Sequence, residues 1–333
     1  MTFEDILKGL KKKEYAPVYF LMGEESFFID QITDYIIANA LNESDRDFNQ
    51  TILYGKDTDI GTIVTTARRF PMMAEKQLVV IREAQNIKNI DQLQSYIQKP
   101  LLSTILVINY KYKSLDKRKN FTKEVAKNGI LFDSKKIYEN QVPDWIKNYT
   151  SKQGYRIDSK ACFLLAEFLG NDLGKITNAL DKLTINITES NTITPSDIEK
   201  NIGISKDFNN FELQNALGKK DIFKANQIIN YFATNEKNNP MVVTIALLHS
   251  YFSKVLKYYF IKNKTNDKMV ATSLRVNPYF VKDYKLAAKN YNPKKLVSII
   301  AMLREYDLKS KGIGDISTKH GDLLKELIFK ILH

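Results

Sequence analysis

The loop Gly23-Glu24-Glu25-Ser26 joins an apolar run ending at Met22 to a segment with helical spacing, the place where an α/β domain sets its phosphate site. Nucleotide chemistry there requires the pattern GxxxxGK[ST]: glycine amides to cradle phosphates, a lysine for the β/γ oxygens and a hydroxyl for magnesium. This loop has one glycine, no lysine and two carboxylates. Glu24 and Glu25 would oppose phosphate at a cost on the order of several kcal/mol in a partly desolvated site. After the apolar run 77–81, Arg82-Glu83-Ala84 supplies one carboxylate where a magnesium and water site wants more. His249, His320 and His333 lack metal-ligand spacing, and Cys162 lies in the apolar run ACFLLAEFL as a small buried hydrophobe. These residues predict no catalytic site, no cofactor and no metal.

Two other stretches could carry function by binding. Phe70-Pro71-Met72-Met73 closes an expected helix over 59–70, ahead of a strand starting at Gln77. Two large flexible side chains there can plug the domain core, which is the simpler reading, or serve as an adaptable contact. Arg68 and Arg69 precede them, as a solvated face or as rim contacts for carboxylates on a partner. The stretch 111–136 holds nine basic residues against three acidic, with Tyr110, Tyr112 and Phe121 interleaved. Stacking on bases is conceivable in such a pattern. A charged face that steers DNA or a neighbouring subunit, without reading sequence, is the preferred reading.

The elements that position these residues fall into two regimes. In the first third, near-continuous apolar runs at 17–22, 51–54, 77–81 and 104–108 alternate with helical patterns at 26–40, 59–70 and 90–98, which predicts a parallel sheet covered on both faces. After about Tyr138 the strand signal stops. Helical patterns follow at 142–146, 159–169, 173–183 and 194–202, the last opened by a Thr194 cap and Pro195. Amphipathic segments then run through 210–217, 221–233, 239–264, 267–274, 278–290, 293–309 and 316–332, beyond a boundary expected around Gly203 and Ser205-Lys206-Asp207. The aromatics at Tyr251-Phe252 and Tyr258-Tyr259-Phe260 read as core packing.

Composition agrees with this outline. The 333 residues are 44% hydrophobic and 26% charged, which excludes disorder and fibrous repeats and suits two or three domains. A net charge of +12 favours polyanionic partners. One cysteine suits a reducing compartment, and neither a signal peptide nor an 18-residue apolar run is present, so a cytoplasmic protein without membrane contact is expected.

Taken in order, Pro17-Val18-Tyr19-Phe20-Leu21-Met22-Gly23-Glu24-Glu25, the segment from Phe70 to Ile81, Asp116-Lys117-Arg118-Lys119, Gly170-Asn171-Asp172-Leu173 with Leu180-Asp181-Lys182-Leu183, and Asp307-Leu308-Lys309-Ser310-Lys311-Gly312 resemble the delta subunit of the bacterial DNA polymerase III clamp loader. The resemblance runs over essentially the whole chain. It implies a RecA-like AAA+ domain without ATP binding (1–138), a three-helix lid domain (139–207) and a helical collar domain that assembles with other subunits (208–333). It also implies a role in DNA replication: binding and opening the ring-shaped sliding clamp, the beta subunit, for loading on primed DNA. The partners implied are ATP-hydrolysing gamma/tau-type and delta-prime-type subunits, and the chain would be a non-catalytic component of the holoenzyme. In the family an apolar pair at the position of Met72 and Met73 projects from a helix into a hydrophobic pocket on the clamp. Leucine and phenylalanine are common there, so Met-Met departs in detail while keeping apolar volume. Phe70, Pro71, Arg68 and Arg69 would flank that contact, and Lys117, Arg118 and Lys119 would offer weak DNA contacts. Asn109 falls near the family's γ-phosphate sensor, which here has nothing to sense. The alternatives are an active AAA+ ATPase, opposed by the Gly23–Ser26 loop, and a stand-alone basic nucleic-acid-binding protein.

Overall fold

The computed structural model describes residues 1–187, 191–203, 205, 207–314 and 317–333. By its internal contacts the chain divides into two units, Met1–Ile137 and Tyr138–His333. In the first unit the elements run α1 (Phe3–Lys11), β1 (Val18–Gly23), α2 (Ser26–Asn39), α3 (Glu43–Asn49), β2 (Gln50–Tyr54), α4 (Ile60–Ala67), β3 (Gln77–Arg82), α5 (Gln94–Ile97), β4 (Thr104–Lys111), α6 (Asn120–Asn128) and β5 (Ile130–Ser134). The strand order is β2-β3-β4-β1-β5, with every neighbouring pair parallel.

Successive strand residues point to opposite faces, and both faces are covered, which is why the strands read as unbroken apolar runs. Val18, Phe20, Met22, Val79, Ile81, Leu106 and Ile108 pack on one face with Ile63, Ala67, Phe121 and Val125. Tyr19, Leu21, Leu78, Val80, Ile105 and Val107 pack on the other with Ile6, Leu10, Ile29, Ile32 and Ile36. The turn after β1 requires glycine: Gly23 has φ 130°, and a Cβ there would lie 2.1 Å from Ser134 O.

Several expectations change in detail. The helix expected over 59–70 stops at Ala67, and that over 90–98 is a 3-10 turn at Ile90–Leu93 leading into α5. Strand β5 and helix α6, hidden in the lysine-rich stretch, complete the sheet.

The second unit comprises α7 (Val142–Lys152), β6 (Arg156–Ile157), α8 (Ser159–Leu169), α9 (Leu173–Asn186), β7 (Thr192–Ile193), α10 (Pro195–Ile202), α11 (Asn210–Lys219), α12 (Ile222–Thr234), α13 (Met241–Tyr259), α14 (Asp267–Leu274), α15 (Val281–Asn290), α16 (Pro293–Ser310) and α17 (His320–Leu332). The described residues of 139–207 thus hold four α-helices where the resemblance implies three, and the strand signal does not end at Tyr138, because β6 and β7 pair in parallel. The Thr194 cap is as expected: its hydroxyl and the Asp197 carboxylate form a reciprocal capping box ahead of Pro195. Lys206 and Ile316, at an expected boundary and an expected helix start, lie outside the described residues. The core of α11–α17 includes Tyr251 and Phe252, as expected for packing aromatics, with Tyr258 and Tyr259 partly buried against it and Phe260 exposed. Cys162 is buried, and loss of solvation pushes its thiol up to about 12, so it is no nucleophile. Among the described residues no helix is long and apolar enough to cross a membrane, and no cluster of potential metal ligands occurs.

Candidate functional site

Helix α4 ends where distant side chains take over its last carbonyls. The Thr104 hydroxyl donates to Ala67 O at 2.8 Å, the Tyr96 hydroxyl to the same oxygen at 3.3 Å, and the buried Gln77 amide to Arg69 O. With those acceptors satisfied and Pro71 disfavouring helix at Phe70, the chain leaves the helix at Arg68. It then runs irregularly to Lys76, so Met72 and Met73 follow the helix rather than project from it. Asn49, buried at the end of α3, braces this segment from below. Met72 N–H donates to Asn49 Oδ1 at 2.6 Å, and Asn49 Nδ2 donates to Met72 O at 3.0 Å.

The brace holds the apolar side chains out in solvent. Phe70 is 78% exposed, Met72 57% and Met73 101%, so the core-plug reading of the methionines fails. Pro71 is half-buried, while Arg68 and Arg69 are exposed at the base of the tip. Met73 adopts φ 54°, a left-handed conformation that costs a non-glycine residue roughly 1–3 kcal/mol and clusters at functional contacts. Phe48, next to the bracing Asn49, is also exposed. Three large apolar side chains on one anchored segment form a surface suited to insertion into a partner's apolar pocket.

The Gly23–Ser26 loop is arranged differently from a phosphate cradle. Glu25 is the N-cap of α2: its carboxylate accepts from Phe27 N–H at 3.1 Å and is buried, so a protein anion already occupies the helix N-terminus. The loop is further tied to β5, with Ser134 Oγ donating to Glu25 O at 2.7 Å. Asn109 is fully buried, and its Oδ1 lies 2.9 Å from the Thr33 hydroxyl of α2, which makes it a strut inside the domain.

The basic residues proposed for DNA are mostly committed internally. Lys117 Nζ lies 2.7 Å from Asp133 Oδ2, and Arg118 forks onto Asp116 through Nε and a terminal nitrogen. The hydrogen bonds from Arg118 hold the Asp116 carboxyl below its usual range. Asp133 is pulled up by burial and further down by Lys117 and Ser114, with a net lowering. Lys119 is exposed and caps α6 through its backbone.

Comparison with known proteins places this arrangement. Residues 19–135 match the family model described as DNA polymerase III, delta subunit, and residues 207–332 match the model of its C-terminal domain. The chain belongs to the DNA polymerase III delta subunit family. It is 26% identical over 263 residues to the DNA polymerase III subunit delta of Bacillus subtilis, covering 76% of this chain and 75% of that protein. With the Haemophilus influenzae subunit delta it shares 25% identity over 177 residues, 51% of each chain. The solved structure of the Bacillus subtilis DNA clamp loader delta protein superposes with a TM-score of 0.58 at 25% identity, covering 99% of both chains.

In this delta-family chain, the expected residues 68–73 are brought together on one braced segment, and Lys117, Arg118 and Lys119 lie apart from them on the stretch after β4. Asn49, Gln77 and Phe48 were missed by sequence reasoning. An asparagine ending a helix and a glutamine opening a strand give no local signal that their amides hold another segment's backbone.

Proposed function

We propose that this chain is the clamp-opening subunit of a replicative clamp loader and performs no covalent chemistry itself. Met72, Met73 and Phe70 enter an apolar pocket of the sliding clamp, Arg68 and Arg69 meet carboxylates at its rim, and the N-terminal domain acts as a lever. The observation that carries this reading is the exposure of Phe70, Met72 and Met73 on a segment whose backbone is fixed by Asn49. Burying a methionine or phenylalanine side chain is worth about 1.5–3 kcal/mol, so the tip alone supplies a useful share of a specific interface. The clamp is held open by differential binding to two of its conformations.

The division into an AAA+-like domain at 1–138, a lid at 139–207 and a collar at 208–333 belongs to the same proposal. The collar assembles with gamma/tau-type and delta-prime-type subunits, and the complex engages primed DNA. Those partners supply ATP hydrolysis. The Glu25 cap supports the absence of nucleotide binding here, because a phosphate at the N-terminus of α2 would have to displace a bonded carboxylate. The test is an ATP titration by calorimetry alongside a fluorescence measurement of clamp ring opening. No ATP binding with ring opening by the isolated chain supports the reading. ATP binding, or a clamp left closed, contradicts it.

A further inference from the structure

With Lys117 and Arg118 engaged by carboxylates, other groups of the same stretch remain available. Tyr112 is 65% exposed, and Lys113, Lys135 and Lys136 are exposed as well. Among the described residues no hydrogen bond or ion pair engages these four side chains. They belong to the exits of β4 and β5, the strands that flank β1, so the two exits lie about 10 Å apart. The chain after β4 folds over Gly23: Tyr112 N–H donates to Gly23 O at 2.8 Å and Gly23 N–H to Lys113 O at 3.0 Å. On the other side, Glu25 N–H donates to Ser134 O at 3.3 Å. Asp133 draws the two exits together by accepting from Ser114 Oγ at 2.9 Å and pairing with Lys117.

The four groups therefore gather at the carboxyl edge of the sheet, where open α/β sheets bind ligands. Helix α2 cannot offer its N-terminus there, since Glu25 fills it. Tyr112 has φ 63°, a conformation unfavourable for an aromatic residue, and its two backbone neighbours hold it there with the ring in solvent.

We propose that this edge binds single-stranded DNA, with Tyr112 stacking on an unpaired base and Lys113, Lys135 and Lys136 neutralising neighbouring phosphates. The proposal rests on the clamp-loader reading for its context. A single strand fits the chemistry because an exposed ring needs an unstacked base, and stacking accepts any base. The lysines act on phosphates by counterion release and read no sequence. Glu24, exposed on the neighbouring loop, opposes the strand and keeps the binding weak and sensitive to salt.

The experiment is fluorescence anisotropy of the full chain with a labelled oligothymidylate of about 20 nucleotides, and with a duplex of similar length, across a salt series starting near 20 mM. The single strand should bind more tightly than the duplex. A Lys113→Ala, Lys135→Ala, Lys136→Ala variant should flatten the salt slope by about 2, at roughly 0.7 per contact. Tyr112→Ala should weaken binding about 5- to 100-fold with the slope unchanged, and Tyr112→Phe should retain it. Equal affinity for duplex, indifference to Tyr112→Ala, or no binding at the lowest salt overturns the proposal. Clamp affinity measured on the same variants separates the two readings: if DNA binding fails while clamp binding persists, only the DNA surface falls.

Discussion

Replacing Glu167 with glutamine should change how the stability of the second unit depends on pH. Glu167 is half-buried on α8, and its Oε1 is shut off from solvent without a hydrogen-bond partner. Burial pushes the carboxyl from 4.5 up to about 8, the Phe211 backbone amide offsets part of this, and Glu212 adds a little. A raised folded-state value means that the stability associated with the protonated acid is complete below about pH 4.5 and is lost as pH climbs towards 8. At about 1.4 kcal/mol per unit, the gap is worth up to about 5 kcal/mol, of which roughly 4 kcal/mol disappears between pH 5 and pH 9. Glutamine keeps the shape of the neutral acid and cannot ionise. Urea unfolding followed by Trp145, the single tryptophan and part of α7, reports on this unit. The parent should lose several kcal/mol relative to Glu167→Gln from pH 5 to pH 9, while the two agree within about 1 kcal/mol at pH 5. Parallel pH curves for the two proteins would refute the assignment of a neutral buried carboxyl.

The braced tip leads to two further expectations. Asn49→Ala removes both hydrogen bonds to the Met72 backbone and leaves a partly buried amide unpaired, so the first unit should lose about 1–3 kcal/mol in denaturant titration. Clamp affinity should fall with it, although no residue in contact with the clamp has changed. Met73→Gly relieves the left-handed backbone at φ 54° and should leave unit stability unchanged or raise it by about 1 kcal/mol, while clamp affinity drops at least about 10-fold. Parallel thermal unfolding and clamp titrations check both, and a Met73→Gly variant that binds the clamp at full strength would exclude that side chain from the contact.

How far the sequence carried depended on the range of the interactions involved. β1, β3 and β4 were legible because residues buried on both faces produce unbroken apolar runs. β5 was not, since Asp133 and Ser134 at its end serve loop contacts and lysines surround it. The loss of the phosphate site could be read from Gly23-Glu24-Glu25-Ser26 alone, but the capping role of Glu25 needed its backbone partner. Most instructive is the end of α4. Helical periodicity continues to Phe70, while Gln77, Tyr96 and Thr104 stop the helix at Ala67 from beyond any local window. That early stop lets Met72 and Met73 point outward, and a hydrophobic residue type by itself does not distinguish core from contact surface.

The most direct measurement is calorimetric binding of the purified chain to the sliding clamp of the same organism, beside a Met72→Ser, Met73→Ser variant whose circular dichroism and thermal unfolding match the parent. Loss of two buried methionines should remove about 3–6 kcal/mol, or roughly 10²- to 10⁴-fold in affinity. Because both side chains are already exposed in the free chain, folding stability should stay unchanged. A folded variant that binds the clamp as tightly as the parent, or a parent that does not bind the clamp at all, would contradict the account.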